Sequence, residues 1–351
     1  MEDYICEMNN SKNKPSNIKQ LADLLGLSVT TVSRVLNGKD KDYRISEKTR
    51  DKVLHAAGKF NFVPNKLARS LKLDKTETIG LIVPDISNPF FADIAKSIEA
   101  EARNKGYSII FGDSMDNIET EEKLLQLLQS QKVDGIIVAP VGTRQEHLLH
   151  AYNEGLPIVV IDRFFRNSEL PYITSDNYKG AYDAVCYLIE MGHKKIACIQ
   201  GIHDSLPNIE RVEGYKKALK DNSIPFNPAF LLGNSFSKQN GYDIGKTLFS
   251  LDTPPTAIFA LSNLISLGVL EAAGETGKAV PKDFSLISFD EQPYSAYLAT
   301  PMTTIDQRKH EIGMQAVNFV VNCIDDNAPE KKFAIRLPTK MIKRNSVLNI
   351  N

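Results

Sequence analysis

Apolar positions near the start of the chain recur at helical spacing. Ile18, Leu21, Ala22 and Leu25 fall at i, i+3, i+4 and i+7, one face of a helix. Asn17 ahead of the run, with Gln20 three residues on, forms a capping-box pattern. Gly26 supplies a turn, and Ser28 predicts the N-cap of a second helix whose Val32, Val35 and Leu36 face the first. Val29, Thr30, Thr31, Ser33 and Arg34 are left to face outward or sideways. A third helix is predicted from Ser46, with Val53, Ala56, Ala57 and Phe60 on one face. Pro64 ends that pattern, because proline pushes the residue before it out of the helical region. The stretch NKLARSLKLDK, residues 65–75, has room for about two turns, too few to hold alone in water. It reads as a linker that becomes helical only with help.

From Thr78 the texture changes. Short apolar runs (IGLIVP, YSIIFG, DGIIVAP, LPIVVID, KKIACIQG, TAIFALS, FSLISFD) alternate with amphipathic stretches such as EEKLLQLLQSQ. Wholly apolar strands between helices predict parallel, doubly wound sheets covered on both faces. About ten such strands exceed one comfortable sheet, so the expectation is an α/β fold with two doubly wound parallel-sheet subdomains behind the N-terminal helices. Ligands in such folds bind beyond the carboxyl ends of strands. That rule gathers PDISNPFF, IDRFF, LSN and FDE around one candidate site.

Two helices joined by a glycine-containing turn make a helix-turn-helix, whose second helix can enter the DNA major groove. Charge supports that reading over a plain helical hairpin. Residues 12–75 hold 15 Lys and Arg against 6 Asp and Glu, a net of +9 in a chain whose total is −1. The remainder is therefore acidic at −10, the footprint of a nucleic-acid-binding module on a body of another kind. No apolar run reaches the length of a membrane span, and MEDYICEMNNSKNK has no apolar signal core, so the expected location is cytoplasmic. The four cysteines, Cys6, Cys186, Cys198 and Cys323, and the six histidines lack metal-ligand spacing, and neither a metal nor a cofactor is expected.

Enzyme motifs fail one by one. GYDIGKT resembles a phosphate loop but has Asn240 where the motif needs glycine, and it lies in a predicted helix. No G-x-G-x-x-G follows a strand, and no nucleophile elbow is present. His193 precedes a strand and reads as a turn residue. Asp162, Asp176 and Asp290 have no nucleophile paired with them in the sequence pattern. The chain is read as a non-enzyme.

Taken in order, SVTTVSRVLNG, ISEKTRDKV, FVPNKLARSLK, SNPFF, SDNYKGAY, RVEGYKKAL, SFDE and TTIDQ resemble the lactose-repressor/galactose-repressor (LacI/GalR) family of bacterial transcription regulators. The resemblance runs from about Ile18 to Ser346. It implies an N-terminal extension (1–16), a helix-turn-helix DNA-binding domain (17–64), a hinge helix (65–75), an effector-binding and dimerisation domain of two α/β subdomains like those of periplasmic sugar-binding proteins (76–346), and a tail (347–351). It implies that Val29, Thr30 and Arg34 read bases, while Ser28, Thr31, Ser33 and Asn37 contact the DNA backbone or brace the helix. Leu71 would be wedged into the minor groove, where an apolar side chain can unstack a base step without hydrogen bonds. For the effector the resemblance points to Asn88, Phe90, Phe91, Asp162, Arg163, Arg211, Asp290 and Gln307.

Two departures from the family pattern stand out. The turn GKDKDYRIS, residues 38–46, is longer than usual, and Asn263 stands where the family usually has Asp. Asn carries no charge and offers an amide donor, so the cleft reads as suited either to an acidic or phosphorylated sugar or to a neutral sugar. The expected protein is a homodimeric, ligand-responsive repressor that binds a palindromic double-stranded operator and senses a sugar-like metabolite, with no membrane partner. Two other readings stay open: a regulator with a degenerate cleft controlled by a protein partner, and an α/β enzyme carrying a DNA-binding appendage.

Overall fold

The computed structural model describes residues 14–62, 75–326 and 333–351. Leu71 and the predicted hinge helix, apart from Lys75, lie outside these residues, as does most of the N-terminal extension. The chain divides into two compact units, residues 1–76 and 77–351.

Among the described residues the first unit shows three helices, α1 (Ile18–Leu25), α2 (Val29–Leu36) and α3 (Glu47–Lys59). Asn17, Ser28 and Ser46 cap them as their side-chain oxygens accept the amides of Gln20, Thr31 and Thr49. Gln20 does turn back, but its Oε1 accepts from the Ser16 amide at 2.8 Å rather than from Asn17. All three helices close the same way, with one amide reaching back five residues and its predecessor three. The pairs are Leu27 to Ala22 with Gly26 to Asp23, Lys39 to Arg34 with Gly38 to Val35, and Phe62 to Ala57 with Asn61 to Gly58. This arrangement satisfies the last carbonyls and needs a left-handed residue, here Gly26, Gly38 and Asn61. Leu21, Ala22, Val32, Val35, Val53 and Ala56 form the buried centre, with Ile45 and Phe60 packed against it.

The second unit has two lobes, each a six-stranded sheet. The first sheet has the order β11-β5-β4-β3-β1-β2, formed by β1 (Thr78–Val83), β2 (Ser108–Asp113), β3 (Gly135–Val138), β4 (Ile158–Ile161), β5 (Tyr172–Ser175) and β11 (Ala334–Leu337). The second has the order β12-β10-β9-β8-β6-β7, formed by β6 (Ile196–Ile199), β7 (Leu231–Leu232), β8 (Ala257–Ala260), β9 (Ser285–Phe289), β10 (Thr303–Asp306) and β12 (Lys340–Ile342). Every pairing is parallel except β10 with β12. Alternate residues of one strand feed opposite cores. Ile79 and Leu81 join one buried cluster and Ile82 another, which is why these strands are apolar throughout.

The chain crosses between lobes three times, after β5, after β10 and after β11. Crossing residues start α7 (Asn177–Glu190) on the second lobe and α11 (Lys309–Asp326) on the first, where Ile312, Ala316 and Val320 join the core beside Ile79 and Ile94. The remaining helices are α4 (Pro89–Asn104), α5 (Ile118–Ser130), α6 (Glu146–Asn153), α8 (Leu206–Asp221), α9 (Lys238–Phe249) and α10 (Asn263–Glu275). The phosphate-loop lookalike lies within α9, so its backbone amides are spent on the helix. Asp176 caps α7 by accepting the Lys179 amide at 3.0 Å, a structural duty. His193 is buried between the Thr256 hydroxyl and the Leu348 carbonyl. Residues 347–351 run along the second lobe, with Leu348 N–H on Ser285 Oγ and Ile350 N–H on the Met191 carbonyl. None of the helices among the described residues is long and apolar enough to cross a membrane.

Candidate functional site

Two places gather the residues singled out from sequence. The first is the outer side of α2. Val29 and Thr30 are exposed, and Thr31, Ser33 and Arg34 are half-buried, while Val32 and Val35 on the inner side are buried. Ser28 Oγ is spent on capping and also lies 2.8 Å from Thr31 Oγ1. Asn37 Nδ2 donates to the Ser33 carbonyl at 2.7 Å, bracing the end of the helix. Val29, Thr30 and Arg34 remain as the side chains presented outward. They supply a methyl surface, a hydroxyl and a forked donor, the chemistry that base edges in a major groove can use. Arg34 Cζ sits 3.6 Å from the centroid of the Tyr43 ring. Tyr43 belongs to the long 38–46 turn, and the sequence pattern gave no sign that this turn folds back onto α2.

The second place is the cleft between the two lobes, a cavity of about 190 Å³ at the carboxyl ends of the strands. Asn88, Phe90, Phe91, Asp162 and Arg163 line it from the first lobe, and Arg211, Asp290 and Gln307 from the second. Asn88 ends the loop after β1 and caps α4 by accepting the Phe90 amide at 3.1 Å. Phe90 and Phe91 meet edge to face at 5.1 Å.

Asp162 and Asp290 occupy corresponding points in the two lobes. Each follows a strand, β4 or β9, at positive φ, 58° and 73°. Each donates its backbone N–H to the next strand, Asp162 to Ile173 and Asp290 to Ile305. A left-handed aspartate is tolerated at modest cost and turns its carboxyl out of the sheet into the cleft. Burial pushes the Asp162 carboxyl up to about 6, against the pull of Arg211 and Arg163 and with the help of the Asp290 charge. Its Oδ1 is buried without a hydrogen-bond partner. Asp290 differs, since Gln307 Nε2 donates to its Oδ1 at 2.5 Å.

Arg211 is buried in α8. Its Nε donates to Asn177 Oδ1 at 2.8 Å, its Nη1 to the Leu261 carbonyl at 2.7 Å, and its Cζ lies 3.7 Å over the Phe289 ring. All three partners are uncharged, and burial lowers its pKa while Asp290 and Asp162 pull the other way. Arg163 by contrast pairs with Asp116 at 2.6 Å.

Asn263 is buried at the start of α10, and it is not among the residues that line the cavity, although its neighbours Ser262 and Leu264 are. Its Nδ2 donates across the lobes to Asn88 Oδ1 at 3.3 Å, and its backbone N–H to Asp290 Oδ2 at 3.4 Å. One of the two N–H donors of this amide thus goes to Asn88, and its Oδ1 is buried without a hydrogen-bond partner. An aspartate here would set a carboxylate against the Asn88 acceptor oxygen.

The cleft also contains residues that pattern reading missed. Asp116 lies in the loop after β2, where the strand-end rule could have found it. Ser235, Phe236 and Lys238 follow β7, a strand of only two residues. Two residues carry no alternation to detect. Ser205 and Pro207 open α8 on the cleft side. Among the described residues no group of three or more His, Cys, Asp or Glu could hold a metal.

Comparisons with known proteins agree with this architecture. Residues 17–65 match the family model described as bacterial regulatory proteins, lacI family. Residues 76–345 match that of periplasmic binding proteins and sugar binding domain of LacI family. The chain is 34% identical to the HTH-type transcriptional repressor PurR of Histophilus somni, over 93% of this chain and 98% of that one. It is 35% identical to the NTD biosynthesis operon regulator NtdR of Bacillus subtilis, over 94% and 99%. Among solved structures it resembles the lac repressor dimer bound to operator and the anti-inducer ONPF, with TM-score 0.84 and 25% identity over 95% of this chain and all of that one. It also resembles a LacI family regulator from Enterococcus faecium with bound ribose, with TM-score 0.71 and 31% identity over 78% of this chain and all of that one.

Proposed function

This chain belongs to the LacI family of bacterial regulatory proteins, and from that premise we propose that it is a repressor whose effector is a small neutral sugar of pentose size. As a member of the family it is a DNA-binding, ligand-responsive transcription regulator that acts as a dimer. The finer reading concerns what enters the cleft and which residues hold it.

The observation that carries it is the set of buried, unpartnered oxygens on the two lobes, Asp162 Oδ1 and Gln307 Oε1. Both acceptors belong to residues that line the cleft, as does the Arg211 guanidinium. Buried polar groups without partners are costly, and hydroxyls supply the missing donors and acceptors at once. Aromatic walls at Phe90, Phe91 and Phe236 suit the apolar faces of a sugar ring. Charge argues against an anion. Asp85, Asp116, Asp162 and Asp290 line the cleft against Arg163, Arg211 and Lys238, and Arg163 is already paired. The bound ribose in the Enterococcus faecium structure supports the same reading. At the DNA, the outward side chains of α2 support Val29, Thr30 and Arg34 as base contacts, with Ser28, Thr31, Ser33 and Asn37 as braces. Domain limits of 17–64 and 76–346, and the absence of an enzymatic role, are part of this proposal.

Calorimetric titration of the full-length protein with ribose, ribose 5-phosphate and cellobiose tests it. Saturable binding of ribose, with the other two at least tenfold weaker, is expected. Tighter binding of the phosphorylated sugar would overturn the neutral-ligand reading. No binding of any small sugar would favour a regulator controlled by a protein partner.

A further inference from the structure

The long 38–46 turn gains a purpose from its geometry. Asp40 to Arg44 make one hydrogen-bonded turn, closed as Ile45 N–H reaches the Asp40 carbonyl at 2.9 Å and Arg44 N–H the Lys41 carbonyl at 3.1 Å. Arg44 takes the left-handed conformation this closure needs, with φ 54°. Ile45, the next residue, packs against the core beside Val32 and Val53. The turn is therefore hydrogen-bonded within itself and anchored at its far end, and its one aromatic side chain lies over Arg34.

With Arg34 Cζ 3.6 Å from the ring centroid, the guanidinium lies over the face of Tyr43, because an N–H aimed into the ring would hold Cζ further away. A contact through the cation's face uses none of its five N–H donors. These donors lie in the guanidinium plane, and the fork they form is what fits the paired acceptors O6 and N7 of guanine. Arginine otherwise loses a large rotamer entropy when it is held in one geometry. Tyr43 removes part of that loss in advance by fixing the plane while leaving the fork open.

We infer that Tyr43 is a positioning and specificity-determining residue, holding the Arg34 guanidinium in the plane from which it reads a guanine in the operator. The inference rests on the proposed role of Arg34 as a base contact. Tyr43 is half exposed, so the contact is worth what a solvent-facing cation–π pair is worth.

The test uses the full-length protein and duplexes selected by it from random sequence, with unselected random duplex as the control. Tyr43→Leu should weaken binding to the selected duplex about two- to fivefold and leave the control unchanged. Tyr43→Phe keeps the ring and should bind like the wild type. In an Arg34→Ala background Tyr43→Leu should have no further effect, which a merely structural role could not produce. If Tyr43→Leu weakens binding equally with and without Arg34, or if Tyr43→Phe loses as much as Tyr43→Leu, the tyrosine acts by itself and the inference is overturned. If Arg34→Ala weakens selected and random duplex alike, Arg34 is a phosphate contact and the premise itself fails.

Discussion

At the scale of single residues, Asp162 shows how the cleft holds stored chemistry. Its carboxyl titrates at about 6 in the fold, against about 4 for an unfolded aspartate. The folded state thus holds this proton more tightly than the unfolded one. Its contribution to stability is full below about pH 4 and is lost as pH rises through about 6, a loss of about 3 kcal/mol. Asp162→Asn removes the titration. The stability of the variant relative to wild type should climb between pH 4 and 6 and then level off. Denaturant unfolding across that range measures it, and a flat difference would contradict the assignment. Asp162 was legible in the sequence because a polar residue directly after an apolar strand marks a cleft. Asn263 was visible in the same way, but its duty was not, since the partner its amide donates to stands 175 residues away.

At the scale of elements, helices α9 and α10 approach backbone to backbone through glycines. A Cβ at Gly268 would lie 2.0 Å from the Lys238 carbonyl oxygen, and one at Gly241 would lie 2.1 Å from that of Ile265. Backbone cannot move aside as a flexible side chain can, so Gly268→Ala should destabilise the second unit by about 1–3 kcal/mol or more. Gly274 in the same helix meets nothing within 4 Å, so Gly274→Ala should raise stability by up to about 1 kcal/mol. Thermal unfolding of the two variants side by side gives the signs, and equal shifts would dismiss the packing argument. The caps and spacings of α1, α2 and α3 could be read in advance, because each depends on residues within one or two turns. The long turn after α2 could be read as long but not as structured, because its closure depends on Ile45 finding the core.

At the scale of the whole second unit, ligand response depends on what joins the lobes. Lys309, at the second crossing, donates to Asp93 on α4 of the first lobe at 2.6 Å and to the Glu291 carbonyl of the second at 2.8 Å. Arg336 on β11 forks onto Glu210 of α8 at 3.0 and 2.8 Å. The Asn88–Asn263 bond makes a third link at the cleft. A conformation held by such contacts is populated before a ligand arrives, and ligand affinity scales with that population. Lys309→Met keeps the apolar stem but loses both bonds. Without ligand, small-angle scattering should show a larger radius of gyration for the variant, with sugar affinity lowered in calorimetry. Saturating ligand should bring the two radii together. Unchanged radius and affinity would show that Lys309 is not part of the closure.

The sequence by itself determined the three capped helices, the alternation of buried strands with amphipathic helices, and the strand-end residues that face the cleft. Each of these is written in a short window: a cap bonds within about three residues, and an apolar period repeats within two turns or one strand. Family membership followed from the order of those windows. Tertiary structure alone decided that β11 and β12 return to different sheets and that Phe236 reaches the cleft from a two-residue strand. It also decided that the Asn263 amide donates to Asn88, and that Tyr43 lies over Arg34. These outcomes depend on surfaces that meet only after the cores have formed, between residues as far as 175 positions apart, where no repeating local spacing signals the contact.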